Sequence, residues 1–415
     1  MTDSYQIAKE IVIKLTKAGH LAYFAGGWVR DFVMGHPSED IDIATDATPA
    51  KLMDLFPQTV LVGLAFGVVI VVVEGHSFEV ATFRKDLEYL DGRHPQGIEL
   101  STPYEDALRR DFTINGMFYD PIQEVIHDYV HGQEDIKRQV IRTIGKPHER
   151  FFEDRLRMLR AFRFAARFGF HIDIDTQEAI RTTVDSFFPA VAMERVWQEF
   201  NKMASYPRFD DAVVEMHRLG LLDIIFPELS KAHIKEMRNE VKAYSQFPKN
   251  TPTILYIMEL FPHLKLEEKL DVVKRLKASN DEIKLIEFME RLNQAILKEE
   301  KNRLFDKVEW CSLFSHPHCE LGLQIYSARF SREKKELFLK KYQDYYQTLL
   351  LHINRTTEGR LIVTSQHLIQ KGIQPGKQMG LLLKEGEKIA INENIDNPDV
   401  ILEKLQRSMF WKNNS

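Results

Sequence analysis

Two aspartates separated by one isoleucine, Asp40 and Asp42 in "EDIDIAT", have the residue types and spacing that most directly suggest chemistry. Side chains alternate along an extended chain, so both carboxylates fall on one face while Ile41 and Ile43 fall on the other. Paired oxygen ligands backed by an apolar layer suit Mg2+, which takes a couple of carboxylates together with phosphate oxygens and water. Two such ions could activate an attacking hydroxyl and stabilise a leaving pyrophosphate. Glu79 in "FEVATFR", beside a β-branched run, is the candidate third carboxylate. An isolated D-x-D is more often a solvated strand end. The stretch before this one changes the odds. In "LAYFAGGWVRDFVM" a short strand runs into a helix that opens at Gly26–Gly27, where unpaired N–H groups of the first turn could meet a phosphate, with Arg30 one turn on.

The rest of the chain must position these groups. Its 415 residues, 44% of them hydrophobic, suffice for a large core and for two to four compact units. The longest apolar run is "VVIVVV" at 68–73, well short of a membrane span, and "MTDSYQIAKEIVIKL" has no signal-peptide layout. The expectation is a cytoplasmic protein without a membrane partner. Only Cys311 and Cys319 occur, which excludes a disulfide framework and a cysteine-only zinc site. The net charge of −5 hides an uneven distribution: residues 137–167 carry ten Lys/Arg against three Asp/Glu, an excess suited to a phosphate-rich partner.

Strand and helix signals mix over the first 140 residues, and Thr48–Pro49 has the form of a helix start. From about residue 146 apolar spacings of three and four take over. This predicts an α+β N-terminal part with a small mixed or antiparallel sheet, followed by helices alone. Over 153–168, Leu156, Leu159, Phe162 and Ala166 form an apolar stripe beside a cationic one of Arg157, Arg160, Arg163 and Arg167. Asp154 and Arg157, at i and i+3, could face a nucleobase together. A carboxylate accepts from the exocyclic amine of C or A and a guanidinium donates to a ring acceptor, a pattern that U and G do not match. Taken alone, the helix fits an i,i+3 surface ion pair as well.

"GGWVRD", then "DIDIAT", then "EVATFR" resemble the catalytic head of the DNA polymerase β-like nucleotidyltransferases, and in particular the class II bacterial CCA-adding enzymes and poly(A) polymerases. The resemblance continues in order through "RKDLEYLDGRHP", "RRDFTINGMFYD", "DYVHGQEDIKRQVIRTIG", "EDRLRMLRAFRFAARFGF" and "MERVWQEF". It implies a nucleotidyltransferase head at 1–145, a neck at 146–210, a body at 211–300 and a tail at 301–415. It also implies transfer of C and A from CTP and ATP to the 3′ end of tRNA, with A-adding or poly(A) synthesis on other RNAs as the alternatives. Asp40, Asp42 and Glu79 would hold Mg2+. Gly26, Gly27, Arg30, Arg109 and Arg110 would engage the triphosphate, and Asp111 and Asn115 the ribose. Asp154 and Arg157 would read the base with Glu153 in support, while Arg160, Arg163 and Arg167 would track RNA. Residues 84–95 resemble the family's base-switching loop, with Arg84, Asp86, Tyr89, Asp91, Arg93 and His94 on its pattern. Glu194, Arg195 and Glu199 would brace the base-reading helix. One departure stands out: Gly116 occupies a position where the family has alanine, a change expected to loosen the local helix by about 1 kcal/mol at most. Monomer and homodimer both stay open.

Overall fold

The computed structural model describes residues 3–36, 38–63, 67–86, 98–302 and 304–412. Its N-terminal part is built on β1 (Ala22–Ala25), β2 (Asp42–Thr45), β3 (Thr59–Gly63), β4 (Val68–Val73), β5 (His76–Thr82), β6 (Arg84–Asp86), β7 (Ile98–Leu100), β8 (Phe118–Asp120) and β9 (Val125–His127). Seven of these form one sheet in the order β3-β4-β5-β2-β1-β8-β9, and β6 pairs with β7 in a separate ribbon. The β2–β5 pair is parallel, with Ile43 opposite Val80, and the other neighbours in the large sheet are antiparallel. The β4–β5 hairpin turns on Glu74 and Gly75, both at positive φ, the combination that matches strand twist in a two-residue loop.

The accompanying helices are α1 (Asp3–Lys17), α2 (Gly27–Val33), α3 (Pro49–Leu55), α4 (Pro103–Leu108) and α5 (Gly132–Arg138). Thr48 and Thr102 cap α3 and α4 by accepting the backbone N–H three residues on, each followed by proline at the first helical position. One face of the sheet buries Ile41, Ile43, Val69, Val71, Phe78 and Val80 against Ile7, Ile11 and Leu15 of α1. The opposite face carries Ala25, Ala44, Phe83, Ala107 and Phe118. Because Ile43 and Val80 point into the first core, Asp42 and Glu79, each one residue earlier on its strand, point to the second face. Trp28 fixes α2 to the sheet, edge-on to Phe24 at 5.0 Å and stacked on Phe32 at 5.0 Å. Burying one such side chain stabilises by roughly 1.5–3 kcal/mol.

The helices that follow are α6 (Pro147–Glu153), α7 (Leu156–Phe168), α8 (Ile174–Thr183), α9 (Phe187–Ala190), α10 (Met193–Ala204) and α11 (Phe209–Arg218). A single helix from Glu153 was expected, but the chain breaks at Asp154, whose backbone is extended (φ −144°, ψ 105°). The reason is local: the Asp154 carboxylate accepts the Leu156 N–H at 3.1 Å, as a capping side chain does, and starts a new helix.

The chain divides into two compact units, Met1–Val241 and Lys242–Ser415. Of the expected boundaries, residue 210 lies in the helix Phe209–Arg218 and residue 300 in the helix Asn280–Asn302. The second unit is helical throughout its described residues. There Glu299, buried, accepts from the Tyr342 hydroxyl at 3.0 Å and the Tyr345 hydroxyl at 3.3 Å and pairs with Lys341. A smaller core of Val363, Leu368, Leu382, Ala390, Ile401 and Leu405 closes the C-terminal end. The lysine-rich stretch at 331–343 lies in the helix Arg332–Thr357, and the turn ending at Gly376 leads into the helix Lys377–Glu393. Among the described residues no helix is long and apolar enough to cross a membrane.

Candidate active site

Strand alternation brings the first two expectations together. Asp42 opens β2, Glu79 lies beside it on β5, and Asp40 precedes them on the same face; all three are exposed as whole residues. The Asp42 carboxyl is nevertheless pushed up to about 6, first by the crowding of protein around it, then by the negative charges of Asp40 and Glu79, with Arg110 acting in the opposite sense. The three carboxylates are thus electrically coupled, although no three acidic, His or Cys side chains among the described residues stand close enough to form a ready-made metal cluster. The donor set suits a hard dication, which would relieve the mutual repulsion.

Gly26 lies at the head of α2 with φ 65° and ψ −121°, a conformation that favours glycine. A Cβ there would stand 3.0 Å from Arg110 Nη1, so the guanidinium occupies the space that the missing side chain leaves. Arg110 also donates through Nη1 to the Asn115 carbonyl at 3.3 Å and covers the Phe118 ring. Gly26, Gly27, Arg110 and Asp42 therefore share one corner of the second sheet face.

Arg30 borders the same corner, its Nη2 3.6 Å from where a Gly27 Cβ would lie. It is buried, donating from Nε to Asp31 at 2.8 Å and from Nη1 to the Asn115 side-chain oxygen at 2.6 Å, over the Phe168 ring. The ribose candidates are engaged likewise. Asn115 donates to Asp111 at 3.0 Å, and the other Asp111 oxygen accepts from Arg160 Nε at 2.9 Å. Burial works against the Asp111 anion, yet the Arg160 guanidinium and the Asn115 amide outweigh it and hold the carboxyl well below the usual range. Arg167 donates to the second Asp31 oxygen at 2.9 Å. Arg160, Asp111, Asn115, Arg30, Asp31 and Arg167 hence form a closed chain of hydrogen bonds that leaves α7 and returns to it.

The arginines expected to track RNA make contacts within the chain. Arg160 and Arg167 face the sheet domain, and Arg163, buried, pairs with the buried Glu199 of α10. In the structure each arginine of this stripe pairs with a carboxylate of the same chain. Glu199 braces α7 as expected, and Arg195 stands 3.6 Å from Asp154.

The base-reading candidates lie where α6, α7 and α4 meet. Arg157 is buried and donates to Glu153 at 2.6 Å, to the Arg150 carbonyl at 3.2 Å and to the Arg109 carbonyl at 3.1 Å. Glu153 thus orients the arginine. Beside it a cavity of about 290 Å³ is lined by Lys85, Tyr104, Leu108, Arg109, Arg150 and Glu153. Arg84–Asp86 form β6 at its edge, whereas Tyr89, Asp91, Arg93 and His94 lie outside the described residues.

Two positions carry more than their motifs suggested. Asp106, buried on α4, accepts from Arg109 Nε at 2.8 Å and from Arg110 Nη2 at 3.0 Å; its i,i+3 and i,i+4 spacing to the arginines was the available signal. Gly116 caps a 3₁₀ turn instead of sitting in a helix, and a Cβ there would lie 2.6 Å from Val130 Cγ2 and 2.9 Å from Ile144 Cδ1. The neighbours have filled the space an alanine methyl would need.

Comparison with known proteins agrees with this geometry. Residues 22–142 match the family described as "Poly A polymerase head domain", and residues 169–233 match "Probable RNA and SrmB- binding site of polymerase A". The chain is 32% identical over 412 residues to the CCA-adding enzyme of Pediococcus pentosaceus, covering 97% of both chains. It is 31% identical over 411 residues to that of Streptococcus pyogenes serotype M2, covering 98% of each. Among solved structures, the Bacillus stearothermophilus CCA-adding enzyme in complex with CTP superposes with a TM-score of 0.78 at 26% identity, covering 98% of this chain and 99% of that one. The Thermotoga maritima enzyme complexed with tRNA shares the fold at a TM-score of 0.70 and 22% identity, over 99% and 96% of the two chains. With such identity along nearly its whole length to curated members, and with the coupled carboxylates, the glycine corner and the braced arginine helix in place, the chain belongs to the family of CCA-adding enzymes.

Proposed function

We propose that this chain adds C and A from CTP and ATP to the 3′ end of tRNA without a nucleic-acid template, releasing pyrophosphate. The observation that carries the reading is the convergence of Asp42, Glu79, Gly26 and Arg110 on one sheet face, with Arg157 anchored at the edge of the neighbouring cavity. The tRNA 3′-hydroxyl attacks the α-phosphate in line. Gly26 and Gly27 let the triphosphate approach the backbone, and Arg109 and Arg110 neutralise its charge. Asp154 and Arg157 select a base that presents an amine beside a ring acceptor. Glu153 fixes the Arg157 fork for that task.

Asp40, Asp42 and Glu79 would hold Mg2+, which when bound supplies charge neutralisation and a more acidic attacking hydroxyl. The coupling of Asp42 to both partners supports this assignment. Arg30 would reach the triphosphate and Asp111 and Asn115 the ribose from a hydrogen-bonded frame, in which Arg30 donates to Asp31 and Asn115 and Asp111 accepts from Asn115 and Arg160. We place the activity in the cytoplasm, in keeping with Cys311 and Cys319, both free thiols and both buried.

Extension of tRNA transcripts ending before CCA, after C and after CC tests the reading, each with single nucleotides and with CTP plus ATP. Growth of all three to CCA, lost in Asp42→Ala, is the expected result. Extension by ATP alone would identify an A-adding or poly(A) enzyme, and absence of extension would overturn the proposal.

A further inference from the structure

We infer that Asp106 is a positioning residue for triphosphate recognition: one buried carboxylate that aims the guanidinium groups of both Arg109 and Arg110. The inference rests on the reading of these two arginines given above. A carboxylate removed from water is costly unless paired and fully hydrogen-bonded. Asp106, 1% exposed, meets that condition with one oxygen for each arginine. Its Oδ1 accepts from Arg109 Nε at 2.8 Å, with Nη2 at 2.7 Å, and from the Arg84 N–H at 3.3 Å. Its Oδ2 accepts from Arg110 Nε at 3.2 Å and Nη2 at 3.0 Å.

The edge that Asp106 takes decides the edge that remains. By holding the Nε–Nη2 side of Arg110 it turns Nη1 toward Gly26, where the missing Cβ would lie only 3.0 Å away. Arg109 is fixed on the same carboxylate, and its carbonyl receives Arg157 Nη2 at 3.1 Å. One acidic side chain therefore sets two triphosphate donors at the foot of the base-reading arginine. Asp106 also keeps the local charge at one net positive from two arginines and one aspartate, trading part of the attraction for a fixed direction. Pre-organised donors of this kind bind with less loss of side-chain freedom.

Asp106→Asn preserves shape and removes the charge. Thermal denaturation first confirms folding; then KM for CTP and ATP is measured, together with inhibition by CTP analogues and by CMP. The expected result is a rise in KM of about tenfold for both triphosphates, with CMP binding unchanged, because only ligands bearing β- and γ-phosphates depend on the aimed forks. A folded variant with unaltered KM overturns the inference, as does an equal loss of CTP and CMP binding, which would mean a merely structural role. If Asp106→Asn does not fold, Asp106→Glu carries the test: it keeps the charge and displaces both forks by a methylene, and a normal KM there overturns the inference too. Arg110→Ala separates the two levels. If it leaves the KM for CTP unchanged, the reading of the triphosphate site fails; if it raises KM while both Asp106 variants do not, only the inference about Asp106 fails.

Discussion

The acidic edge of the sheet and the arginine stripe of α7 treat their charges in opposite ways. Asp40, Asp42 and Glu79 are exposed and crowd one another, so that Asp42 ionises only against resistance. Arg160, Arg163 and Arg167 are each joined to a carboxylate of the same chain, and Arg163 is buried. Like charges left to repel one another await a counter-ion from outside the chain. Opposite charges paired within it hold the frame. The contrast is one of electrostatics: exposed like charges on the sheet edge, internal ion pairs along α7.

The largest effect that sharpens this contrast is on turnover. Asp42→Ala is expected to lower kcat by about 10³-fold or more with no loss of thermal stability, measured by single-turnover extension beside a melting curve. A large fall in Tm would erase the distinction. Glu199→Ala should do the reverse: leaving buried Arg163 without its partner costs about 3–5 kcal/mol, read by urea denaturation. Replacing both residues, Arg163→Met with Glu199→Leu, should recover most of that loss, because the penalty lies in the orphaned charge. Next in size is Gly116→Ala. Its methyl would overlap Val130 and Ile144, and overpacking of this kind costs about 1–3 kcal/mol; Val130→Ala in the same chain should relieve it.

The smallest effect is confined to acid. The Asp111 carboxyl is held below its ordinary value, so the folded state binds its proton later than the unfolded chain. Its contribution to stability is complete above the unfolded value of about 3.9 and is lost as pH falls toward the folded value. Asp111→Asn should accordingly flatten the decline in Tm below about pH 4 relative to the parent chain. An unchanged acid limb would place Asp111 with the exposed carboxylates instead of the paired ones.

What could be read before folding follows the range of the causes. The convergence of Asp40 and Asp42 was legible because strand alternation is a local rule, and Gly26 because a turn at positive φ demands glycine. The stripe on α7 was legible for the same reason, helical periodicity being local too. What met the stripe was not. Asp31 lies 136 residues from Arg167, Asp111 lies 49 from Arg160 and Glu199 lies 36 from Arg163, and periodicity names a face without naming its neighbour. Arg30 shows the same limit: its place one turn from Gly26–Gly27 was legible, its bond to Asn115, 85 residues on, was not. The helix break at Asp154 carried a readable sign, a capping residue type, that the strong apolar period after it concealed.

The closed chain of side chains between Arg160 and Arg167 has a mechanical corollary. Its two ends leave α7 seven residues apart, roughly 10 Å along the axis. A rod pinned at one point can swivel; pinned at two, it resists both rotation and sliding. At its other end the extended backbone at Asp154 separates α7 from α6, so the two helices are held by different contacts. The double pin makes α7 a fixed shaft, against which whatever its N-terminal end carries keeps a set bearing on the sheet.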